Sequence, residues 1–505
     1  MAHSTVFEVI QRARMLAAHN RWNEAHSQLT AILEEFPEDP DLRFEIGNHR
    51  AAVGALDEAV SIFCKLLLEA PFSIAVLVNL AGALMIQGKI EIAIRHARDA
   101  VLIAPDDPTV IQKMADVEAF RSHIASVPHY RKLIAITPNS AKAHLNLAEA
   151  LSKSSNWKEA AYYFERAIEL DPVTPLIRFD FAMHLLNQGR YREGWKHYEA
   201  RLEPGMPDQP VRLLDLPRWQ GETLSGKTLL VCTEQGLGDE IRFAAYLNQL
   251  SNMADTVIME TDPRMLSLYR RSFPKIRFNA FRRFPVRGHM RFTYDWLRDH
   301  PRPDYQVAIM SLPYILGDRH EYSIAPDGFL LPLKKRVEDL RVEIEKLAAK
   351  PGPRVGLVWG SGMTSTRRAP SYAKIDHWKQ ILSHPNATFF AMQYGDFQED
   401  LLAMRELTER PIHNLEHLDL RGDLEAVTAF ASVLDCVVAM ATATSVLSAA
   451  AGTTVIEIAA VNNFIPAIDG RDALIGTIRR PRAPIEGDWD YVFNGARSIL
   501  DQIIA

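Results

Sequence analysis

Residues 143–172 read AHLNLAEALSKSSNWKEAAYYFERAIELDP. Leu147, Ala148 and Leu151 fall on one helical stripe, and Ala160, Phe164 and Ala167 fall on a second. Two helices cross closely only where small side chains meet, which explains the alanines. Pro172 cannot continue a helix, so it punctuates the turn into the next unit. The same punctuation recurs upstream at Pro37, Pro71, Pro105 and Pro138, with gaps of 34, 34, 33 and 34 residues up to Pro172. Small residues keep step at Ala25, Ala59, Ala93, Ala160 and Gly194.

A period of about 34 residues, small residues at fixed points and a closing proline resemble the tetratricopeptide repeat. The resemblance covers about 200 residues, or about six units ending near Leu202. One unit cannot bury its apolar face, but a stack can, so the pattern predicts an α-solenoid. The fourth unit, Asp106 to Pro138, departs from the pattern: Ser126 replaces the small alanine, and Pro128 is expected to interrupt the second helix. Solenoids of this kind bind protein segments in a groove, so the array is expected to recognise another protein; a spacer or an oligomerisation surface is the alternative.

Helical periodicity stops at residues 203–226, EPGMPDQPVRLLDLPRWQGETLSG. From Lys227 short apolar strands alternate with helices: Thr228–Thr233, Thr256–Glu260 and Tyr305–Ile309, then, after Pro351-Gly-Pro353, Arg354–Trp359, Phe389–Gln393, Cys436–Met440 and Thr454–Ile458. Such alternation predicts two Rossmann-like lobes with parallel, doubly wound sheets. The expected organisation is a repeat domain over 1–203, a linker over 204–226, one lobe over 227–350 and a second over 351–505. Ligands of such sheets bind outside the carboxyl ends of the strands, which puts the site in the cleft between the lobes.

The most informative stretch there is Glu234-Gln235-Gly236-Leu237-Gly238-Asp239-Glu240, joining a strand to a helix. Gly236 and Gly238 let backbone approach a ligand and supply unusual torsions. Asp239 at a helix start is equally an ordinary cap. The dinucleotide fingerprint is absent, because its third glycine is missing. TLLVCTEQGLGDEIRFAAYL resembles the opening strand, loop and helix of the heptosyltransferase-like (GT-B) glycosyltransferases, and is closer still to bacterial proteins that fuse tetratricopeptide repeats to that domain. The resemblance implies a general base at Asp239, with Glu240 as the fallback. RVGLVWGSG at 354–362 is similar to that family's second-lobe strand and glycine turn. There the amides of Gly360, Ser361 and Gly362 can face a nucleotide's phosphates, and Arg367 and Arg368 can reach a diphosphate. Phe390–Asp396 resembles the family's strand ending in a glutamine, which adds Gln393 and Tyr394. Thr442, Thr444 and Ser445 precede the helix VLSAAAG and are phosphate ligands or, alternatively, helix caps. The chain departs from the family in lacking an aspartate near Ala441 and a histidine near Val446.

Composition narrows the function classes. A net charge of −6 gives no overall attraction to nucleic acid or anionic lipid. The arginine-rich run from Arg264 to Arg291, with Phe273, Phe278, Phe281 and Phe284 interleaved, is read as a solvated face or a cleft wall that draws acidic groups. Cys64, Cys232 and Cys436 lack metal-ligand spacing, and no Asp-x-Asp cluster stands at a strand end. A metal-independent enzyme without a cofactor, using a nucleotide-sugar as co-substrate, is therefore expected. No leader pattern or membrane span is read, so the expectation is cytoplasmic. Taken together, the reading is a protein O-glycosyltransferase acting on Ser/Thr hydroxyls, with flagellin as the acceptor the resemblance implies. The missing aspartate and histidine motivate the alternative, a non-catalytic adaptor with a degenerate transferase domain. A sugar-nucleotide epimerase would share the two-lobed sheets, but would not need the repeats.

Overall fold

The computed structural model of the 505-residue chain describes residues 2–19, 21–207, 210–286, 289–317, 328–348, 352–360, 372–408, 410–459, 467–468, 470–481 and 488–504. Twelve helices follow one another from Ala2–Ala18 to Tyr191–Tyr198, the helical solenoid of tetratricopeptide repeats. The periodic prolines stand in the turns between pairs. Where the next helix opens on Asp-Pro, the aspartate caps it: Asp39 Oδ1 accepts the Leu42 N–H at 3.0 Å and Asp107 Oδ1 the Val110 N–H at 3.2 Å. Ala59, Ala93 and Ala160 are completely buried. At Gly194 a Cβ would meet Leu186 Cγ at 2.6 Å, so only glycine lets that last pair close.

The fourth unit corrects one expectation. Its second helix, His123–Ile136, runs unbroken through Pro128. One backbone hydrogen bond is lost, yet Val127, Tyr130 and Leu133 remain buried, and packing outweighs the missing bond. Ser126 fills the small position completely buried, its Oγ donating to His123 O at 2.7 Å.

The chain divides into two compact units, Met1–Ile177 and Arg178–Ala505. The sixth helical pair thus groups with the α/β region, although helical periodicity continues to Leu202. Leu186, Trp195 and Tyr198 share one apolar core with Leu229, Phe243 and Leu247.

Fifteen strands are found among the described residues of this second unit: β1 (Val211–Arg212), β2 (Thr228–Cys232), β3 (Thr256–Thr261), β4 (Arg277–Ala280), β5 (Arg282–Val286), β6 (His289–Thr293), β7 (Tyr305–Ala308), β8 (Arg354–Val358), β9 (Thr388–Ala391), β10 (Ile412–Asn414), β11 (Cys436–Met440), β12 (Val455–Ile458), β13 (Ala467–Ile468), β14 (Arg471–Asp472) and β15 (Ile478–Arg479). One sheet has the order β4-β3-β2-β7, parallel throughout. A second has the order β10-β9-β8-β11-β12-β15-β14-β13, parallel up to β15. The inner strands are apolar on both faces, as sheets covered on both sides require. In each sheet the chain first builds outward to one side and then returns to the other. The reversal lies between β2 and β7 in one sheet and between β8 and β11 in the other. Crevices open at such reversals, outside the carboxyl ends of the strands. A small third sheet, β1-β6-β5, takes up the end of the arginine-rich run.

Candidate functional site

The loop leaving β2 carries Thr233 to Asp239. The Thr233 N–H donates to Glu260 Oε1 at 3.0 Å. Glu234 is gripped by Arg201, whose Nε and Nη2 donate to its two oxygens at 3.1 and 2.8 Å. The left-handed residue of the loop is Gln235, with φ 45°, whereas Gly236 has φ −100°. The unusual torsion expected of the glycines therefore falls on their neighbour. Asp239, half-buried in the first turn of the helix Leu237–Phe243, accepts the Gly236 N–H on Oδ2 at 3.4 Å. Burial pushes the Tyr198 phenol well above its ordinary value; Arg201 opposes this, and the charges of Glu234 and Asp239 add to it.

Glu240 takes a different place from the one expected of a second base. It is buried, hydrogen-bonded to Thr261 Oγ1, and its Oε2 accepts the Asp262 N–H at 3.3 Å. Burial pushes its carboxyl up to about 8, against those two hydrogen bonds, so it is mostly a neutral acid at pH 7.

On the other sheet, β8 ends at Trp359 and Gly360. Gln393 Oε1 accepts both of their N–H groups, at 3.1 and 3.0 Å, and its Nε2 donates to Gly360 O at 3.1 Å. Gln393 is thus the clamp of this turn, and its amide is occupied. Ser361, Gly362, Arg367 and Arg368 lie outside the described residues. After β11, Thr442 and Ser445 cap the helix Ala443–Ala450 reciprocally: Thr442 Oγ1 accepts the Ser445 N–H at 3.4 Å and Ser445 Oγ the Thr442 N–H at 3.1 Å. Ser445 is completely buried, and its Oγ also lies 3.1 Å from Glu457 Oε2. Of the three hydroxyl residues expected at a phosphate, these two serve as caps. Thr444 lines a cavity.

The two helix starts meet. A Cβ on Gly238 would stand 3.4 Å from Ala443 Cα, an ordinary van der Waals distance with little room for anything larger. Behind the contact, Arg242 reaches from the helix Leu237–Phe243 into the second sheet. It pairs with Asp472 and donates through Nη2 to Glu457 Oε2 at 3.1 Å. Arg480 completes a buried cluster, with Nε donating to Glu457 Oε1 at 2.7 Å and Nη2 to Asp472 Oδ2 at 2.5 Å. Burial raises the Glu457 carboxyl, but Arg480 and Arg242 outweigh it and hold it at about 2.

Two cavities flank the contact, and Leu237 and Arg264 line both. One, of about 230 Å³, has Tyr394, Arg421, Leu424 and Thr444 from the second sheet's side. The other, of about 220 Å³, lies at the carboxyl ends of β2 and β3 beside Arg212, Glu240, Arg283, Phe281 and Phe292. The arginine-rich run is distributed among specific partners: Arg264 holds Asp262 twice at 2.9 Å, Arg271 pairs with Glu425 at 2.6 Å, and Arg283 sits 4.6 Å from the Phe281 ring centre. Arg287 lies outside the described residues.

Sequence reading missed Arg201, Arg242, Asp472 and Arg480. One signal was available: Glu457 and Glu260 each interrupt an apolar strand, and a carboxylate buried there requires a cationic or hydrogen-bonding partner.

Among the described residues no helix is long and apolar enough to cross a membrane. Two models described as tetratricopeptide repeat match the chain, one over residues 10–74 and one over 141–172. Over 445 residues the chain is 28% identical to Protein FlbA of Caulobacter vibrioides, spanning 86% of this chain and 74% of that protein. Among solved structures, TTC0263, a tetratricopeptide protein of Thermus thermophilus, is 20% identical, with a TM-score of 0.33 over 36% of this chain and 99% of its own. PilF of Pseudomonas aeruginosa is 17% identical, with a TM-score of 0.35 over 40% of this chain and 94% of its own. The chain thus carries tetratricopeptide repeats ahead of an α/β region built on parallel sheets, and it is similar to Protein FlbA along most of its length.

Proposed function

We propose that the α/β region is a GT-B glycosyltransferase that moves a sugar from a nucleotide-sugar donor to a Ser or Thr hydroxyl of an acceptor protein. The repeat array binds that acceptor, residues 227–350 form the acceptor lobe, and residues 351–505 form the donor lobe. One observation carries the reading: the loops at the two chain reversals, after β2 and after β11, come together, with the cavity lined by Arg264, Tyr394, Arg421 and Thr444 beside them.

In this reading Asp239 takes the proton of the acceptor hydroxyl as its oxygen bonds to the anomeric carbon. The bond from that carbon to the nucleotide's phosphate breaks, and the charge leaves on the phosphate. Arg264 and Arg421 supply stabilisation for that charge without a metal ion. Glu240 ties the helix Leu237–Phe243 to the end of β3. The acceptor the resemblance implies is flagellin, met in the cytoplasm.

Intact mass of acceptors co-expressed with the full chain tests this. A sugar-sized increment is expected with the native chain, formed about 10²–10⁴-fold more slowly with Asp239→Asn. An undiminished rate in that variant removes Asp239 from the mechanism. A second reading, the non-catalytic adaptor, is favoured by the direct contact of Gly238 with Ala443 and by Asp239 turning back to its own helix. It predicts an acceptor that co-purifies without any increment.

A further inference from the structure

We infer that Arg201, on the 3₁₀ turn Glu199–Leu202 that follows the sixth helical pair, is the positioning residue for the loop that carries Asp239. The inference rests on the glycosyl-transfer reading for its functional consequence and on geometry alone for the positioning.

The Arg201 side chain is 5% exposed. Its guanidinium has five N–H groups, and five hydrogen bonds leave it. Two go to Glu234. The others reach Glu199 Oε1 at 2.7 Å, Tyr198 O at 3.2 Å and Ser311 Oγ at 3.0 Å. The face of the guanidinium lies 4.6 Å from the Tyr198 ring centre. Glu234, held in this fork, also accepts the Met310 N–H on Oε2 at 3.2 Å, just beyond β7. Its carboxylate is therefore fixed from two sides: by the turn after the sixth helical pair and by the strand across the chain reversal.

The next residue shows what that fixation sustains. Gln235 holds a left-handed torsion, a state that is unfavourable for a non-glycine residue and persists only when its surroundings over-determine it. Its Nε2 donates to Tyr198 Oη at 3.1 Å, so a second anchor comes from the same helical pair. Only Gly236, Leu237 and Gly238 separate this pinned dipeptide from Asp239. The start of the helix Leu237–Phe243, and with it the carboxylate, takes its place from a segment that precedes the whole α/β region in sequence. A lysine at 201 keeps the charge but offers a point donor in place of the planar fork, so it cannot hold both Glu234 oxygens and Ser311 together.

The test uses the full chain with Arg201→Lys, Glu234→Gln and, because removing one partner of a buried pair can unfold a protein, the isosteric double variant Arg201→Met/Glu234→Met. Hydrogen exchange is read peptide by peptide beside the mass-increment rate. The expected result for Arg201→Lys and the double variant is exchange at least about 10-fold faster within 233–243, unchanged exchange in β8, β11 and the helix Ala443–Ala450, and a slower turnover at unchanged acceptor KM. Glu234→Gln, which keeps the shape but only one of the two acceptor oxygens, recovers part of the rate. Native exchange across 233–243 in both Arg201 variants overturns the inference. So does exchange that rises equally in every peptide, since Arg201 would then support the fold as a whole. If Asp239→Asn proves as active as the native chain, the transfer reading fails, and the exchange data still decide the positioning by themselves.

Discussion

The loops after β2 and after β11 each stand beside the chain reversal of their sheet, yet they are held in different ways. The loop after β11 closes on itself: Thr442 and Ser445 cap each other, and Glu457, on the neighbouring strand, steadies the serine. The loop after β2 is held from outside, by Arg201 and Tyr198 on one side and the residues beyond β7 on the other, and it carries the left-handed Gln235. A self-capped turn is rigid by local chemistry. A turn suspended from distant charges is as well ordered as its anchors. Between them stands Arg242, which belongs to the first loop's helix and pairs with carboxylates beneath the second.

The largest expected effect breaks that shared anchor. Arg242→Met leaves Glu457 and Asp472 with Arg480 as their one remaining ion-pair partner among the described residues, and is expected to destabilise the second unit by about 3–5 kcal/mol, read from the midpoint of denaturant unfolding. Retention of the native midpoint would show that the cluster is dispensable for joining the two sheets. Next is the contact of the helix starts. Gly238→Val places branched carbons against Ala443 and is expected to cost about 1–3 kcal/mol, with Gly238→Ala far milder because its Cβ stands at 3.4 Å. Equal losses in the two variants would break the close-approach argument. Thr442→Ala removes one half of the reciprocal cap, about 1 kcal/mol by thermal unfolding. Since the loop after β11 is self-contained, exchange within 233–243 should stay native in that variant.

The mildest substitution concerns Glu240, and the sign of its effect follows from linkage. Its folded-state carboxyl titrates at about 8, above the ordinary value of 4.5, so the neutral form is favoured by folding. The associated stability is fully present below pH 4.5 and is lost as pH rises through 8. Glu240→Gln is therefore expected to flatten the fall in melting temperature between pH 4.5 and 8 and to leave the slope above pH 8 unchanged. An undiminished fall across that window in the variant would mean that the Glu240 carboxyl does not cause it. Glu457 runs the opposite way: held at about 2, its stabilisation is present above pH 4.5 and fades as pH falls toward 2.

Legibility differed between the two parts of the chain for physical reasons. The repeats were readable because each helix pair buries a small residue at the same register every 34 or so residues, and periodicity is a property of the sequence itself. Even there Pro128 misled, because a single lost hydrogen bond is weaker than the burial on either side of it. Strand boundaries in the α/β region were close, since inner strands must be apolar. The candidate loops were also visible as Gly-rich or hydroxyl-rich junctions of strand and helix. Which hydroxyls and amides in those loops remain available could not be read. Ser445, Gln393 and Glu240 look like ligand groups in sequence, and in the structure each is engaged by a neighbour 12 to 34 residues away.

The sequence by itself determined a solenoid of helix pairs, the change to parallel α/β sheets after residue 226, and the segment from Glu234 to Asp239 as the most distinctive junction. These follow from local rules: helix and strand periodicity, proline's missing donor and glycine's freedom. Only the tertiary structure decided that the sixth helical pair belongs with the sheets, that Arg201 and Arg242 hold the loops, and that the two helix starts touch through Gly238. Those outcomes depend on burying charges beside partners as many as 230 residues away. A single arginine in a sequence carries no sign of which carboxylate it will meet.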